Sequence, residues 1–254
     1  MLTVANLSKR FGGVHAVQDV SFTIPKGCVY SVIGPNGAGK TTLFNLISGL
    51  YTPTSGTIGF EGQEIGGAAP DQLARRGMSR TFQNLQICRN LSAIDNVMVG
   101  AHLTLNSSMF AGMVRWPGLS RADRACRERA AALMERVGCG AFIKADAAAM
   151  PYGALKRLEI ARALASDPKI LFLDEPAAGL NHTETHGIQT LVADLARSGL
   201  TVVVVEHDMK LVMSVSDRIL VLNYGRRLAE GTPSEIRENP EVIAAYLGAD
   251  AEED

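Results

Sequence analysis

The stretch that most limits the folds open to this chain is GPNGAGKTT, residues 34–42, which matches the pattern G-x-x-x-x-G-K-[ST]. The apolar run CVYSVI before it predicts a buried strand, and KTTLFNLISGL, which starts at Lys40, predicts a helix. Glycines let the backbone curl so that successive N–H groups point at phosphate oxygens, and a helix N-terminus adds partial positive charge. The alternative, a glycine-rich turn that matches by chance, would not explain the strand and helix on either side.

Two further apolar runs are too short to be free-standing helices. They are KILFLDE, residues 169–175, and LTVVVVEHD, residues 200–208. Such runs are typical of strands buried on both faces, as in a parallel sheet. LKRLEIARALA, residues 155–165, predicts an amphipathic helix with most of its apolar residues on one side. Strands that alternate with helices predict an α/β core.

The first part of the chain has a different pattern. Three runs there are strand-like, VANLSKRF, VQDVSFTI and SGTIGFEGQEI, which predicts a small, mainly antiparallel β subdomain. SRADRACRERAAALMERVG, residues 120–138, predicts a helix. We therefore expect a single domain over residues 1–254. Residues 1–90 and 139–254 form its nucleotide-binding core, including the β subdomain, and residues 91–138 approximate an inserted α-helical subdomain.

The composition and net charge of the chain limit the kinds of partner that it can be expected to bind. Hydrophobic residues make up 46% of the chain and its formal net charge is −1, so we expect a globular core and no nucleic-acid partner. The stretch MLTVANLSKRFGG has no long apolar run behind a basic start, so we expect no secretion signal there. The four cysteines, Cys28, Cys88, Cys126 and Cys139, include no CxxC pair, which favours reduced thiols in a cytosolic protein.

The segment NVMVGAHLTLNSSMFAGMV, residues 96–114, contains no charged side chain and approaches the length of a membrane span. Its Asn, His, Thr and Ser residues would be costly to bury in lipid, which argues against a transmembrane helix. Two interpretations remain open: a surface that faces a protein partner, or part of the core of the helical subdomain.

Five residues fit the chemistry of nucleotide hydrolysis. Lys40 would supply charge to the terminal phosphates of ATP, and Thr41 and Asp174 would hold Mg²⁺. Glu175 would orient or deprotonate the attacking water. His207 follows another predicted strand, at the sheet edge where ligands bind, and would sense the γ-phosphate. Taken singly, the two acids would be exposed strand-end carboxylates and His207 a loop histidine with no role.

Several motifs occur in the order and spacing of ATP-binding cassette (ABC) ATPases, which the chain resembles over nearly its whole length. They are Phe11, residues 34–42, TFQN with Gln83, LEIARAL, FLDEP and EHD. A closer resemblance, to ATPase subunits of branched-chain amino-acid importers, rests on RTFQNLQICRNLSAIDNVMVG, YGALKRLEIARAL, LDEPAAGLN and VEHDMKLVMSVSDRILVLNYGRRLAEGTP. It implies a second ABC ATPase subunit, two membrane permease subunits and, indirectly, a solute-binding protein. It also implies a place at the cytoplasmic face of the inner membrane, bound through the permease.

The resemblance assigns roles residue by residue. Phe11 would stack on adenine, and the less favoured alternative is a core or edge aromatic. Gln83 would reach Mg²⁺ and the attacking water, and the uncharged segment after it would contact the permease. The residues implied to bind ATP are Phe11, Gly34, Pro35, Asn36, Gly37, Ala38, Gly39, Lys40, Thr41 and Thr42, with Tyr152 and Gly153 facing the ATP of the opposite subunit.

Two positions depart from the family pattern. Where the family has Leu-Ser-Gly-Gly-Gln, this chain reads Met-Pro-Tyr-Gly-Ala at residues 150–154. Pro151 has neither the serine hydroxyl nor a backbone N–H, and Ala154 lacks the glutamine amide. Asn181 stands where an aspartate is usual. Because the weakened signature would serve the partner's ATP, we hypothesise a heterodimer in which a partner with a stronger signature completes this chain's own site.

Two rival functions belong to other classes. One is a soluble ABC ATPase that works without a permease, and the other is a nucleotide-regulated scaffold with negligible turnover. Soluble ABC ATPases often carry paired cassettes, coiled-coil inserts or basic arms, whereas this sequence shows a single cassette and no net basicity. The complete phosphate-binding and acidic motifs disfavour the scaffold. We therefore expect an ATPase that energises import of branched-chain amino acids or related small solutes.

Overall fold

The computed structural model describes residues 1–103 and 117–249. They fall into two compact units, one formed by residues 1–76 and 172–249 and the other by residues 77–103 and 117–171. The strands are β1 Leu2–Phe11, β2 Val14–Ile24, β3 Val29–Ile33, β4 Ser55–Phe60, β5 Gln63–Glu64, β6 Met78–Arg80, β7 Ile170–Asp174, β8 Thr201–Val205, β9 Arg218–Asn223 and β10 Arg226–Gly231. The helices are α1 Lys40–Ile47, α2 Pro70–Arg75, α3 Ala93–Gly100, α4 Pro117–Arg136, α5 Tyr152–Leu164, α6 His182–Arg197, α7 Met209–Val215, α8 Pro233–Glu238 and α9 Pro240–Ala249.

The first unit contains two sheets. The smaller has the order β2-β1-β4-β5, and all its neighbouring strands are antiparallel. The larger has the order β10-β9-β3-β8-β7, in which β3 runs parallel to β8 and β9 while β10 is antiparallel to β9. β7 begins in the second unit, where β6 is its neighbour. These sheets confirm the predicted α/β core and the predicted antiparallel β subdomain.

Burial explains why the central strands read as continuous apolar runs. Every residue of β3, β7 and β8 is buried. A strand covered on both faces has no solvent side, so it needs no alternation of polar and apolar residues. The charged residues Asp174, Glu175 and Glu206 lie at or directly after the carboxyl ends of β7 and β8.

The second unit is mainly helical, and one sequence interpretation needs correction there. α5 is not amphipathic: nine of its residues are buried, among them Lys156 and Glu159. The prediction of an apolar side failed because neighbouring chain segments cover the helix almost all round. α4 begins at Pro117, before the predicted Ser120, and ends at Arg136, where Gly138 has a φ of 78° suited to ending a helix.

The uncharged segment 96–114 is described only as far as residue 103. Asn96 and Val97 are buried, whereas Val99 is 48% exposed. Residues 104–114, on which most of the two interpretations rest, lie outside the described residues. No helix within residues 1–103 and 117–249 is both long enough and apolar enough to cross a membrane.

Candidate functional site

The loop of residues 34–42, here called the P-loop, joins β3 to α1 and is shaped by three glycines. Gly34, Gly37 and Gly39 have φ values of 153°, 74° and 96°. A Cβ on Gly34 would lie 2.2 Å from the Leu222 carbonyl oxygen, and one on Gly39 would lie 2.4 Å from the Ala16 carbonyl oxygen. The loop therefore excludes side chains where it passes other backbone segments, and its conformation suits glycine.

The lysine of the P-loop is half-buried against the loop itself. Lys40 Nζ donates hydrogen bonds to the carbonyl oxygens of Gly34, at 2.6 Å, and Pro35, at 2.9 Å. Burial lowers the pKa of Lys40, while the Glu175 carboxylate acts in the opposite direction. The ammonium charge is thus held inside the curve of the loop, close to an acid from the end of β7.

The two acids of FLDEP have different surroundings. Asp174, the last residue of β7, is 5% exposed. Glu175 follows with a left-handed φ of 48°, and its N–H donates to the Val205 carbonyl at the end of β8, at 2.9 Å. This backbone geometry turns the chain at the strand end and leaves the Glu175 side chain partly accessible, at 23% exposed.

His207 lies beside Glu175 after β8. Its Nδ1 is 3.9 Å from Glu175 Oε1, and its side chain is 65% exposed. The first unit thus brings together Lys40, Glu175 and His207, three of the residues that the sequence singles out. An acid, a base and a cation at one sheet edge form a site that could bind phosphates and activate a water molecule.

A buried acid that sequence reasoning did not assign organises this edge. Glu206 is 1% exposed and accepts backbone hydrogen bonds from Ala177, at 2.9 Å, and His207, at 3.1 Å. Burial raises its pKa, and these N–H donors partly offset that rise. Glu206 therefore fixes both the turn after β7 and the turn that carries His207. Its only signal in the sequence is an acid directly after VVVV.

The residues proposed for magnesium have suitable chemistry. Thr41 is exposed at the start of α1, and Asp174 offers a carboxylate from the end of β7. No group of three or more His, Cys, Asp or Glu side chains in the described part of the chain could hold a metal ion. Mg²⁺ prefers oxygen ligands and is often bound through one or two protein groups together with substrate phosphates. The residues present fit that mode of binding.

An exposed aromatic pair lies at the end of β1. Phe11 is 44% exposed and meets Tyr51 edge to face, with ring centroids 5.3 Å apart. Lys9 Nζ lies 5.0 Å from the centre of the Phe11 ring. The sequence pointed to Phe11 but not to Tyr51, because forty positions separate the two and no local pattern links them.

The remaining predicted residues belong to the second unit. Gln83 is exposed in the segment after β6. Pro151 precedes α5 with no side-chain cap, Tyr152 is 45% exposed at the first helical position, and Gly153 is buried. Lys156 Nζ lies 5.9 Å from the Tyr152 ring centre. The structure thus places Gln83, Tyr152 and Gly153 in one unit, and the P-loop with the strand-end acids in the other.

Asn181, which departs from the family pattern, has a local role. Its side chain accepts a hydrogen bond from the Glu184 N–H, at 3.0 Å, and its own N–H donates to Glu184 Oε2, at 3.1 Å. This reciprocal pair is a capping box at the start of α6. Asparagine and aspartate cap helices about equally well, so the helix accommodates either residue.

Comparison with known proteins identifies the family of this chain. The ABC transporter family profile matches residues 17–178, and a branched-chain amino acid ATP-binding cassette transporter profile matches residues 226–252. The high-affinity branched-chain amino acid transport ATP-binding protein BraF of Pseudomonas aeruginosa is 47% identical over 98% of both chains.

Solved structures agree with this match. An ATP-binding cassette of an ABC transporter, in its ADP conformation, superimposes with a TM-score of 0.84 at 29% identity, covering 98% of each chain. A dimeric cassette in a post-hydrolysis state, bound to ADP and Pi, gives a TM-score of 0.78 at 26% identity and covers 92% of this chain and 99% of that one. This chain belongs to the ABC transporter family and is an ATPase of the ATP-binding cassette fold.

Proposed function

We propose that this chain is the ATP-hydrolysing subunit that energises a membrane importer for branched-chain amino acids or related small solutes. The observation that carries the proposal is the placement of Lys40, Glu175 and His207 at one sheet edge of a cassette 47% identical to BraF. BraF is named as a branched-chain amino acid transport protein, which disfavours the soluble alternative.

Nucleotide binding is proposed to use the whole P-loop. The phosphates would be surrounded by the backbone N–H groups of residues 34–42, of which only Pro35 has none. The side chain of Asn36 is exposed in this loop. Lys40 would exchange its bonds to Gly34 and Pro35 for bonds to phosphate oxygens. Phe11 would stack on adenine, with Tyr51 supporting its ring.

Hydrolysis is proposed to depend on the strand-end acids. Thr41, Asp174 and Gln83 are the residues that would hold Mg²⁺, which would supply positive charge to the phosphates. Glu175 would orient the attacking water and accept its proton, and its left-handed backbone fixes where that carboxylate projects. His207, anchored through its backbone N–H to Glu206, would contact the γ-phosphate.

The proposed assembly pairs this chain with a second ABC ATPase subunit, preferably a different one, beneath two permease subunits and served by a solute-binding protein. Tyr152 and Gly153 would face the ATP of the partner subunit. The solved cassette that is dimeric with ADP and Pi supports pairing as such. The depleted signature at residues 150–154 supports a partner with a different signature.

The proposal also includes the domain organisation of the chain and its location in the cell. We infer that residues 91–138 approximate the helical insertion of a single 1–254 cassette. The chain would lie at the cytoplasmic face of the inner membrane, bound through the permease, with no nucleic-acid partner. ATP binding would close the subunit pair, and hydrolysis with phosphate release would reopen it.

Tagged co-purification from membranes of the native cell tests this function. We expect mass spectrometry to recover a second ABC ATPase and two permeases in stoichiometric amounts with the tagged chain, and none of them from an untagged strain. Recovery of only soluble partners would overturn the importer proposal while leaving the ATPase assignment in place. Recovery of only this chain with the permeases would replace the heterodimer by a homodimer.

A further inference from the structure

The helix α5 holds the segment that follows Gln83. Glu159 Oε1 accepts a hydrogen bond from the Gln86 N–H, at 3.3 Å. Arg162, one turn later on the same helix, donates from its guanidinium to the Gln86 carbonyl oxygen. Both backbone groups of Gln86 are therefore bonded to side chains of α5, and all three residues belong to the second unit.

A second anchor follows two residues later. Asn96, which is fully buried in α3, accepts from the Cys88 N–H at 2.8 Å and donates to the Cys88 carbonyl at 3.0 Å. The segment after β6 has no helical or strand structure of its own until α3. Side chains from two helices thus take the place of a regular backbone ladder over residues 86–88.

Burying the carboxylate of Glu159 carries a free-energy cost that an apolar residue at this position would avoid. Glu159 is 2% exposed, and a buried carboxylate is costly unless it is paired and hydrogen-bonded. Burial raises its pKa, while the N–H groups of Gln86 and Phe82 and the charges of Arg162 and Lys156 favour the ionised form. An apolar side chain would fill the same space without that cost. The contacts it makes instead flank Gln83 on both sides.

We propose that Glu159 and Arg162 are positioning residues that fix the loop of Gln83 to α5, so that nucleotide contact at the start of this helix alters the placement of Gln83. The inference rests on the proposed function, because it takes from it the roles of Gln83 and of Tyr152 and Gly153. α5 is a continuous helix from Tyr152 to Leu164, so its first turn and the two positioning residues move together.

The test uses the assembled transporter with full-length chains. Glu159→Ala should lower kcat for ATP by about tenfold while KM changes less than about twofold, because the loop is misplaced but the P-loop is not. Hydrogen exchange of a peptide spanning residues 82–88 should become faster by a similar factor. Glu159→Gln keeps an oxygen acceptor and should restore most of both values. Glu128→Ala, which removes an exposed carboxylate of α4, serves as the control.

Two further variants keep the proposal open to disproof. If Glu159→Ala fails to fold, Arg162→Lys, which keeps the charge but loses the planar fork, should show the same kcat loss and faster exchange in weaker form. Unchanged exchange and turnover in folded Glu159→Ala or Arg162→Lys would overturn the proposal. A normal kcat in Gln83→Ala would instead overturn the proposed role of Gln83, and the exchange measurement would still decide whether α5 holds the loop.

Discussion

Two helix N-termini in this chain are proposed to face phosphate, and they are built differently. α1 is preceded by three glycines with positive φ and begins with Lys40. α5 is preceded by Pro151, with a φ of −58° and no side-chain cap, and its first residue is the half-exposed Tyr152. Neither helix has an acidic residue in its first turn, so both keep their partial positive charge.

The difference lies in what is added to the helix dipole. α1 adds curled backbone N–H groups and a full positive charge, whereas α5 has lost both side-chain donors that the family pattern provides there. Each lost hydrogen bond to a charged phosphate is worth about 1.5–3 kcal/mol. Under the proposed roles, the chain would offer more hydrogen-bond donors to its own nucleotide than to its partner's, and the proposed heterodimer would be asymmetric.

The largest effect is expected from Glu175→Gln. Loss of the general base should reduce ATP turnover at this chain's own site by about 10²–10⁴-fold while nucleotide still binds. Steady-state phosphate release measures the turnover, and size-exclusion chromatography with ATP should show an accumulated closed dimer. Glu238→Gln, an exposed carboxamide substitution on α8, is the control. A wild-type rate in the Glu175 variant would show that Glu175 is not the base.

Lys40→Ala should weaken ATP binding by about a hundredfold, because two or more charge-assisted contacts to phosphate are lost. Titration with a fluorescent ATP analogue measures this affinity, and Lys26→Ala, at an exposed position of the same unit, should leave it unchanged. An unaltered affinity would remove the P-loop assignment and, with it, the contrast between α1 and α5.

The double variant Pro151→Ser with Ala154→Gln supplies the two side-chain donors missing at the start of α5. Placed in the complex together with Glu175→Gln, it reports on the partner's site alone, and phosphate release there should rise by about tenfold. Ala132→Gln, an exposed substitution on α4, is the matched control. No rise in release would mean that the signature of this chain does not limit the partner's site.

The smallest effect concerns pH. Because burial lowers the pKa of Lys40, this lysine loses its proton at a lower pH than an ordinary lysine. ATP affinity should therefore decrease as pH rises, reaching a loss of about twofold at the pKa of Lys40, below the usual value near 10.5. Lys40→Arg should abolish this alkaline decrease, since arginine stays charged. Affinity that falls only above pH 10.5 would contradict the direction of the shift.

Local sequence patterns were sufficient to predict the central strands and most of the residues at their carboxyl ends. β3, β7 and β8 are apolar runs because both faces are covered, and the P-loop combines a motif with the strand and helix it requires. The burial of α5 escaped prediction because its cover comes from distant segments. Lys156 and Glu159 are among the buried residues of this helix, and the main-chain N–H of Gln86 donates a hydrogen bond to Glu159.

Other features depend on contacts that no local pattern encodes. Glu206 gains its importance from the N–H groups of Ala177 and His207, the first of which is 29 positions away. The pairing of Phe11 with Tyr51 likewise needs the antiparallel sheet to be assembled. In the sequence Asn181 stands out only as a departure from the family pattern, because its capping role depends on where α6 begins.

The glycines around the P-loop also have a genetic consequence. A side chain at Gly34 would strike the carbonyl oxygen of Leu222, and one at Gly39 or Gly225 would strike that of Ala16, at 2.4 and 2.8 Å respectively. These obstacles are main-chain atoms, which every amino acid possesses. Replacing Leu222 or Ala16 by a smaller residue therefore creates no room, and second-site suppressors of P-loop glycine mutations should not arise at either position.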